Sequence, residues 1–278
     1  MITRRQTLTL AAGAAASPLL ADALAAPARA AAPAAAGQGF DPLADALLTH
    51  VRIRGHQDGR RVFFAYHGTF YAQVTAQRTV PMFHIEGASS ARMLRQPDGS
   101  YLYQLKEAGW FCDLGSHEVV AEAVNPLTGK TVRPKHYASG QRTRFTADAK
   151  VVPMDALPPG IEYVGDIGRP TADRDLVWTT EELLVRTPGA PPSGKPRVQT
   201  SLATFSANLA DLERAPDAFV PCRLNYQTLG SFLAWMDMGD VPGVITWRLA
   251  GRKTDKVDEL PAALRARIER EHPEVLQV

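Results

Sequence analysis

The chain has 278 residues, 45% of them hydrophobic and 22% charged, an ordinary globular composition with enough apolar matter for a core. Its 21 glycines, 21 prolines and 8% aromatic residues suit a turn-rich, strand-rich protein better than a helical bundle. The 31 basic against 29 acidic residues give neither a nucleic-acid footprint nor attraction to an anionic membrane, and beyond the N-terminus no apolar run is long enough to span a bilayer.

Residues 1–30 read as a signal peptide. Arg4 and Arg5 precede an apolar stretch from Leu8 to Leu20, and Ala28-Arg29-Ala30 offers the small-x-small pattern of a cleavage site. The stretch "TRRQTLT" is similar to a twin-arginine export signal, so a periplasmic or secreted location is expected. Cleavage removes Arg4, Arg5, Arg29 and Asp22, leaving 28 basic and 28 acidic residues, a neutral mature chain. No nucleic-acid partner and no membrane partner after cleavage are expected. Residues 31–40, "AAPAAAGQGF", form a low-complexity linker, and residues 41–278 a single β-rich domain.

A helix follows the linker, with Asp41 as cap, Pro42 in the first turn and Leu43, Leu47 and Leu48 at helical spacing. After Gly59 the period changes to two. Strands are expected at 61–74, 79–87, 100–113, 119–124, 131–137, 141–145, 175–187, 197–209, 221–229 and 243–251, with a Pro- and Gly-rich stretch at 153–170 between the two sets and a loop at 188–196. A closing helix is capped by Asp258 and carries Leu260, Leu264 and Ile268 as a narrow apolar stripe. About ten strands without interleaved helices predict a mainly β fold, an antiparallel barrel or half-open barrel-like sheet with short N- and C-terminal helices packed at its ends.

Three features bear on chemistry. Asn125-Pro126-Leu127-Thr128-Gly129 is a hairpin turn: Asn accepts backbone hydrogen bonds, Pro presets φ, and Gly permits positive φ. In the strand after it, Val132, Pro134 and His136 share the core side. In strand 100–113, Glu107 lies on a face with Tyr101, Tyr103, Leu105 and Phe111. A carboxylate held there needs a cation or strong donors, or takes up a proton; Arg248 is a candidate partner. Glu107 and His136 are therefore the candidate catalytic pair, with structural roles as the alternative. Tyr66, His67, Tyr71, Tyr103, Trp178 and Trp235 are the candidate ligand-binding residues. His84 and Glu86 share one strand face without a clear third ligand, and no phosphate loop, GxSxG elbow or dinucleotide fingerprint is present, so no metal or cofactor is expected. Cys112 and Cys222 either form a disulfide after export or remain separate buried thiols.

The arrangement "HGTFYAQV…FHIEG…YLYQLKEAGWFCD…NPLTGKTVRPKHY", followed by "WMDMGDVPGVITWRLAGRK", resembles the family known as domain of unknown function 1838 over most of the chain from Asp41 onward. The resemblance implies an exported, strand-rich fold and no defined reaction. The chain departs from the family's pattern at "FCDLGSHEVV" and at Ala123, where a Trp is usual. Two functional expectations follow: a binding protein holding a small, largely apolar or aromatic molecule in a barrel pocket, or a cofactor-independent isomerase, lyase or hydrolase using Glu107 and His136 in that pocket. The oligomeric state is left open.

Overall fold

The computed structural model describes residues 40–189 and 196–277. The expected signal peptide, all of the linker except Phe40, and most of the 188–196 loop lie outside the described residues. Thirteen strands are found among those described: β1 (Val62–Val74), β2 (Val80–Arg95), β3 (Tyr101–Cys112), β4 (Ala123–Val124), β5 (Thr131–Val132), β6 (Tyr137–Phe145), β7 (Val151–Pro153), β8 (Glu162–Ile167), β9 (Thr171–Asp173), β10 (Leu176–Thr187), β11 (Arg197–Asn208), β12 (Arg223–Gly230) and β13 (Gly243–Thr254). Ten of them follow one another by antiparallel pairing in the order β7-β6-β3-β2-β1-β13-β12-β11-β10-β8, and β9 pairs beside β8 on β10. The edges β7 and β8 meet at one bridge, Lys150 to Asp166, with the Ile167 amide donating to the Ala149 carbonyl at 2.8 Å. The sheet is therefore a nearly closed antiparallel barrel, the class the strand pattern predicts, with the seam stitched at one end only.

Alternation along each strand separates inside from outside. On β1, Phe64, Tyr66 and Phe70 face inward while Phe63, Ala65, His67 and Tyr71 face outward; the β1–β2 and β2–β3 registers carry the inward phase to Ser89 and Glu107. The N-terminal helix, α1 (Ala46–Arg54), starts at Asp45, whose side chain accepts the Leu48 amide at 2.9 Å. The expected cap, Asp41, instead closes the preceding turn by accepting the Leu43 amide at 2.9 Å. This helix is inserted across one barrel end: its Leu47, Val51 and Ile53 join a core cluster with Phe64, Met93, Phe145 and Phe205. A helix buried on most sides must satisfy its polar groups internally. Lys253 does part of this, its ammonium donating to the Arg52, Ile53 and Gly55 carbonyls at 2.9, 2.6 and 2.8 Å.

A short helical turn, α2 (Leu209–Leu212), follows β11, and the closing helix, α3 (Ala262–Glu271), buries Leu264 and Ile268 of the predicted stripe, with Leu260 buried just before the helix begins. The stripe covers the outer wall of β1–β3, against Phe63, Ala88, Ala108, Trp110 and Cys112, rather than a barrel end. Burial of those outward apolar residues decides the site. The Trp110 indole donates to Glu271 at 2.9 Å, and Glu86 pairs with Arg267.

Three local differences from the sequence expectation have physical causes. The expected 119–124 strand is reduced to a single bridge from Val119 to Cys112 and the short pairing at Ala123–Val124, because Asp113 gathers the Gly115 and Ser116 amides at 2.9 and 2.8 Å and turns the chain. The expected 131–137 strand stops at Val132: Pro134 has no N–H for a ladder, and pairing resumes with β3 only at Tyr137. The Pro- and Gly-rich 153–170 stretch contains β8, whose Gly165 leaves room for Val151 and Leu183 where the seam is tight. The two cysteines are separate buried thiols, Cys112 beneath α3 and Cys222 at the α1 end, and burial pushes both up to about 11.

Candidate functional site

The barrel interior holds a cavity of about 270 Å³. Its wall is built from the inward phases of β1, β2, β3, β6, β10, β11, β12 and β13, plus Arg54 from α1. Gln141 and Gln199 line it and are solvent-exposed, which places its mouth beside the unstitched part of the seam.

One cross-strand row shapes the middle of the cavity. Tyr66 is opposite Gly87, Gly87 opposite Gly109, and Gly109 opposite Tyr137. A Cβ on Gly87 would overlap the Tyr66 ring, and one on Gly109 would overlap the Tyr137 ring. The glycines therefore let the two tyrosines lie over the sheet from both sides, and their hydroxyls meet at 3.1 Å. Burial keeps both phenols well above their ordinary range.

Glu107 lies beside this pair. Its remaining accessible surface faces the cavity, and the Ser139 hydroxyl donates to its Oε1 at 3.0 Å. Burial raises its pKa, opposed by the Ser139 hydrogen bond, the more distant Arg54 charge and the Tyr66 hydroxyl. Tyr226 and Trp247 complete this part of the wall, with the Trp247 and Tyr137 ring centres 5.5 Å apart.

The α1 end of the cavity carries a second carboxylate. Glu181 Oε2 lies 3.1 Å from Arg54 Nη1 and 3.4 Å from His50 Nε2. Arg54 sits between aromatic faces, its guanidinium carbon 4.5 Å from the centre of the Tyr103 ring and 4.6 Å from that of Phe205. Burial alone would raise Glu181, but Arg54 and His50 outweigh it and hold the carboxyl below its usual range. Burial keeps His50 on the neutral side, and its Nδ1 meets the Thr179 hydroxyl at 2.6 Å. The network assigns the proton to Nε2, facing Glu181, with Thr179 donating to Nδ1.

Of the residues singled out from sequence, Glu107, Tyr66 and Tyr103 line the cavity together. His136 does not: its Nδ1 accepts the Phe111 amide at 3.2 Å, continuing the ladder where β6 has ended, and burial lowers its pKa. His67 and Tyr71 have the outward phase of β1, and Arg248 lies over the Tyr71 ring at 5.5 Å instead of pairing with Glu107. Trp178 lies on the outer wall beside Arg223 and Asn225. Trp235 packs on Phe70, Phe83 and Phe111 in the adjoining core. His84 stacks on His117 at 3.9 Å, and its neighbour Glu86 is taken by Arg267.

Sequence reasoning passed over Arg54, Glu181, Tyr137, Tyr226 and Trp247. The period of β10 held one usable signal, since Val177, Thr179, Glu181 and Leu183 share its inward face. The hairpin turn proved to be a turn and also a clasp. Asn125 is fully buried, its Oδ1 accepts the Leu127 amide at 2.9 Å, and Gly129 has φ of 71°. Its Nδ2 donates to the Met236 carbonyl at 2.7 Å, joining the NPLTG turn to the WMDMG segment.

No curated protein matches the chain in sequence. Among solved structures, the crystal structure of MucB in complex with MucA(peri) aligns over 82% of this chain and 97% of that chain, at 11% identity and a TM-score of 0.13, too low a likeness to bear on fold or function. The family model described as protein of unknown function (DUF1838) matches residues 59–156 and 196–277, which include the NPLTG turn, the WMDMG segment and most of the barrel strands. With both motifs matched and joined through Asn125, the chain belongs to the DUF1838 family.

Proposed function

We propose that this is an exported binding protein that holds a small, largely aromatic molecule in the barrel cavity. The observation that carries the reading is the union, in one enclosed space, of an aromatic wall and a few convergent polar groups: Glu107, the Tyr66–Tyr137 pair and the Gln141 and Gln199 amides at the mouth. Ligand sites have this composition, a mainly apolar lining with a few fixed polar groups. A volume of about 270 Å³ suits a molecule of one or two rings, since larger ligands occupy roughly 300–1,000 Å³. Export is supported by the Arg4-Arg5 pair, the apolar stretch after it and the Ala28-Arg29-Ala30 cleavage pattern.

The test is a thermal-shift screen of ring-bearing small molecules against residues 41–278, run in parallel on Ala203→Trp. Ala203 lines the cavity and is 6% exposed, so the indole would fill the space. A ligand at 100 times its Kd adds about 2.7 kcal/mol to stability. Compounds that raise the melting temperature of the parent protein should lose their effect on the folded variant. Stabilisation that persists in Ala203→Trp would place binding elsewhere and overturn the reading.

A further inference from the structure

The cavity contains two carboxylates in aromatic surroundings, and only one has its cation. At the α1 end, Glu181 faces Arg54 at 3.1 Å, and the guanidinium is held between the Tyr103 and Phe205 rings at 4.5 and 4.6 Å. That arrangement is an internal example of how this barrel accommodates positive charge: one carboxylate beside it, and ring faces with negative π-density on either side.

Toward the mouth the same elements recur without the cation. Glu107 supplies the carboxylate, and Tyr66, Tyr137 and Trp247 supply the rings. Among the basic groups of the described residues, Arg54 is the one that acts on Glu107, and it is already paired with Glu181. The phenols around Glu107 are Tyr66 on β1, Tyr137 on β6 and Tyr226 on β12, with Tyr103 on its own strand β3, and burial keeps all four protonated. No neighbour therefore balances an ionised Glu107, and Ser139 alone among the hydroxyls of β6 donates to it.

We infer that the mouth-side half of the cavity binds a small organic cation, a protonated amine on a ring-bearing skeleton, with Glu107 as counter-ion and the rings of Tyr66, Tyr137 and Trp247 around the charge. This rests on the binding reading above and names the ligand class for that site. An anion is disfavoured, because it would meet a carboxyl with no uncommitted cation nearby. A neutral ligand gains ring contacts but leaves Glu107 further desolvated and without a charge partner. A cation gains both the ring quadrupoles and the carboxylate, and both strengthen when water is excluded.

The experiment compares benzylamine with benzyl alcohol, which have nearly the same shape but differ in charge at neutral pH, by calorimetric titration of parent protein and Glu107→Gln. The parent should bind the amine at least tenfold more tightly than the alcohol, a difference of about 1.4 kcal/mol. Glu107→Gln should lose that preference, its affinity for the amine falling to that for the alcohol, and a cooperative thermal unfolding transition reports that the variant is folded. Equal affinities for amine and alcohol in the parent protein would overturn the cation assignment and leave the cavity reading intact; this comparison needs no variant. A preference that survives in Glu107→Gln would overturn the role of Glu107. If neither compound binds the parent at millimolar concentration, both the assignment and the cavity reading fall.

Discussion

Glu107 and Glu181 are chemically identical side chains on the inner wall of one barrel, and their neighbours push them in opposite directions. Burial dominates at Glu107 and raises its pKa, whereas Arg54 and His50 prevail over burial at Glu181 and lower it. The consequence for stability follows from linkage. A carboxyl whose folded-state pKa exceeds its ordinary value, here 4.5, contributes its stabilisation fully below that value and loses it as pH rises through the folded-state pKa. Glutamine cannot ionise, so the stability of Glu107→Gln relative to the parent protein should increase with pH above 4.5. Each pKa unit separating folded and unfolded states is worth about 1.4 kcal/mol. Urea unfolding of both proteins across a pH series checks this, and the Glu181 contribution, common to both, cancels in the difference. A pH-independent difference would mean that Glu107 is not held away from solvent.

At the scale of elements, the site is made by registers rather than by any one segment. Tyr66 and Tyr137 are distant in sequence and meet because β2 and β3 place two glycines between them. Alanine at Gly109 would force the Tyr137 ring away, at the ~1–3 kcal/mol typical of an inserted methyl group in a packed interior. Gly109→Ala should therefore stay folded, with a melting temperature lowered to that extent, and bind cavity ligands more weakly than the parent; unchanged ligand affinity would show that the Tyr66–Tyr137 contact does not shape the site. This layout explains what the sequence could reveal. Period-two alternation sufficed to put Glu107 and Tyr103 on one aromatic face, and turn chemistry sufficed for Asn125 to Gly129, but alternation alone did not say which face of β1 turns inward, so Tyr66 was named together with the outward His67 and Tyr71. The paired glycines carry no periodic signal, so the tyrosine contact was invisible. Tyr137 was assigned to the wrong strand because nothing local distinguishes the unpaired run after Val132 from a ladder, except Pro134. Nothing in the local pattern singles out Arg54, in the last turn of α1, and only the insertion of that helix into the barrel brings it to Glu181.

For the whole molecule, closure and plugging define one enclosed space. Ten strands pair in succession around the wall, the seam is stitched at the α1 end, and Lys253 fastens the C-terminal carbonyls of α1 to the wall. The covering of the outer wall by α3 leaves the interior for binding and uses Leu264, Ile268 and Trp110 for adhesion alone. Fold class was readable from the number and spacing of strands, whereas the position of α3 depended on which outward residues were apolar, a property of the β1–β3 registers. Among the described residues no helix is long and apolar enough to cross a membrane. The central claim is that the space around Glu107 receives a ligand. Its most direct test is an amide chemical-shift map of residues 41–278 titrated with small aromatic amines. The account predicts perturbations concentrated on the inward residues of β1, β3, β6 and β13 around Tyr66, Glu107, Tyr137 and Trp247. Perturbations confined to the outer wall near Trp178 and Leu229, or none at millimolar ligand, would contradict it.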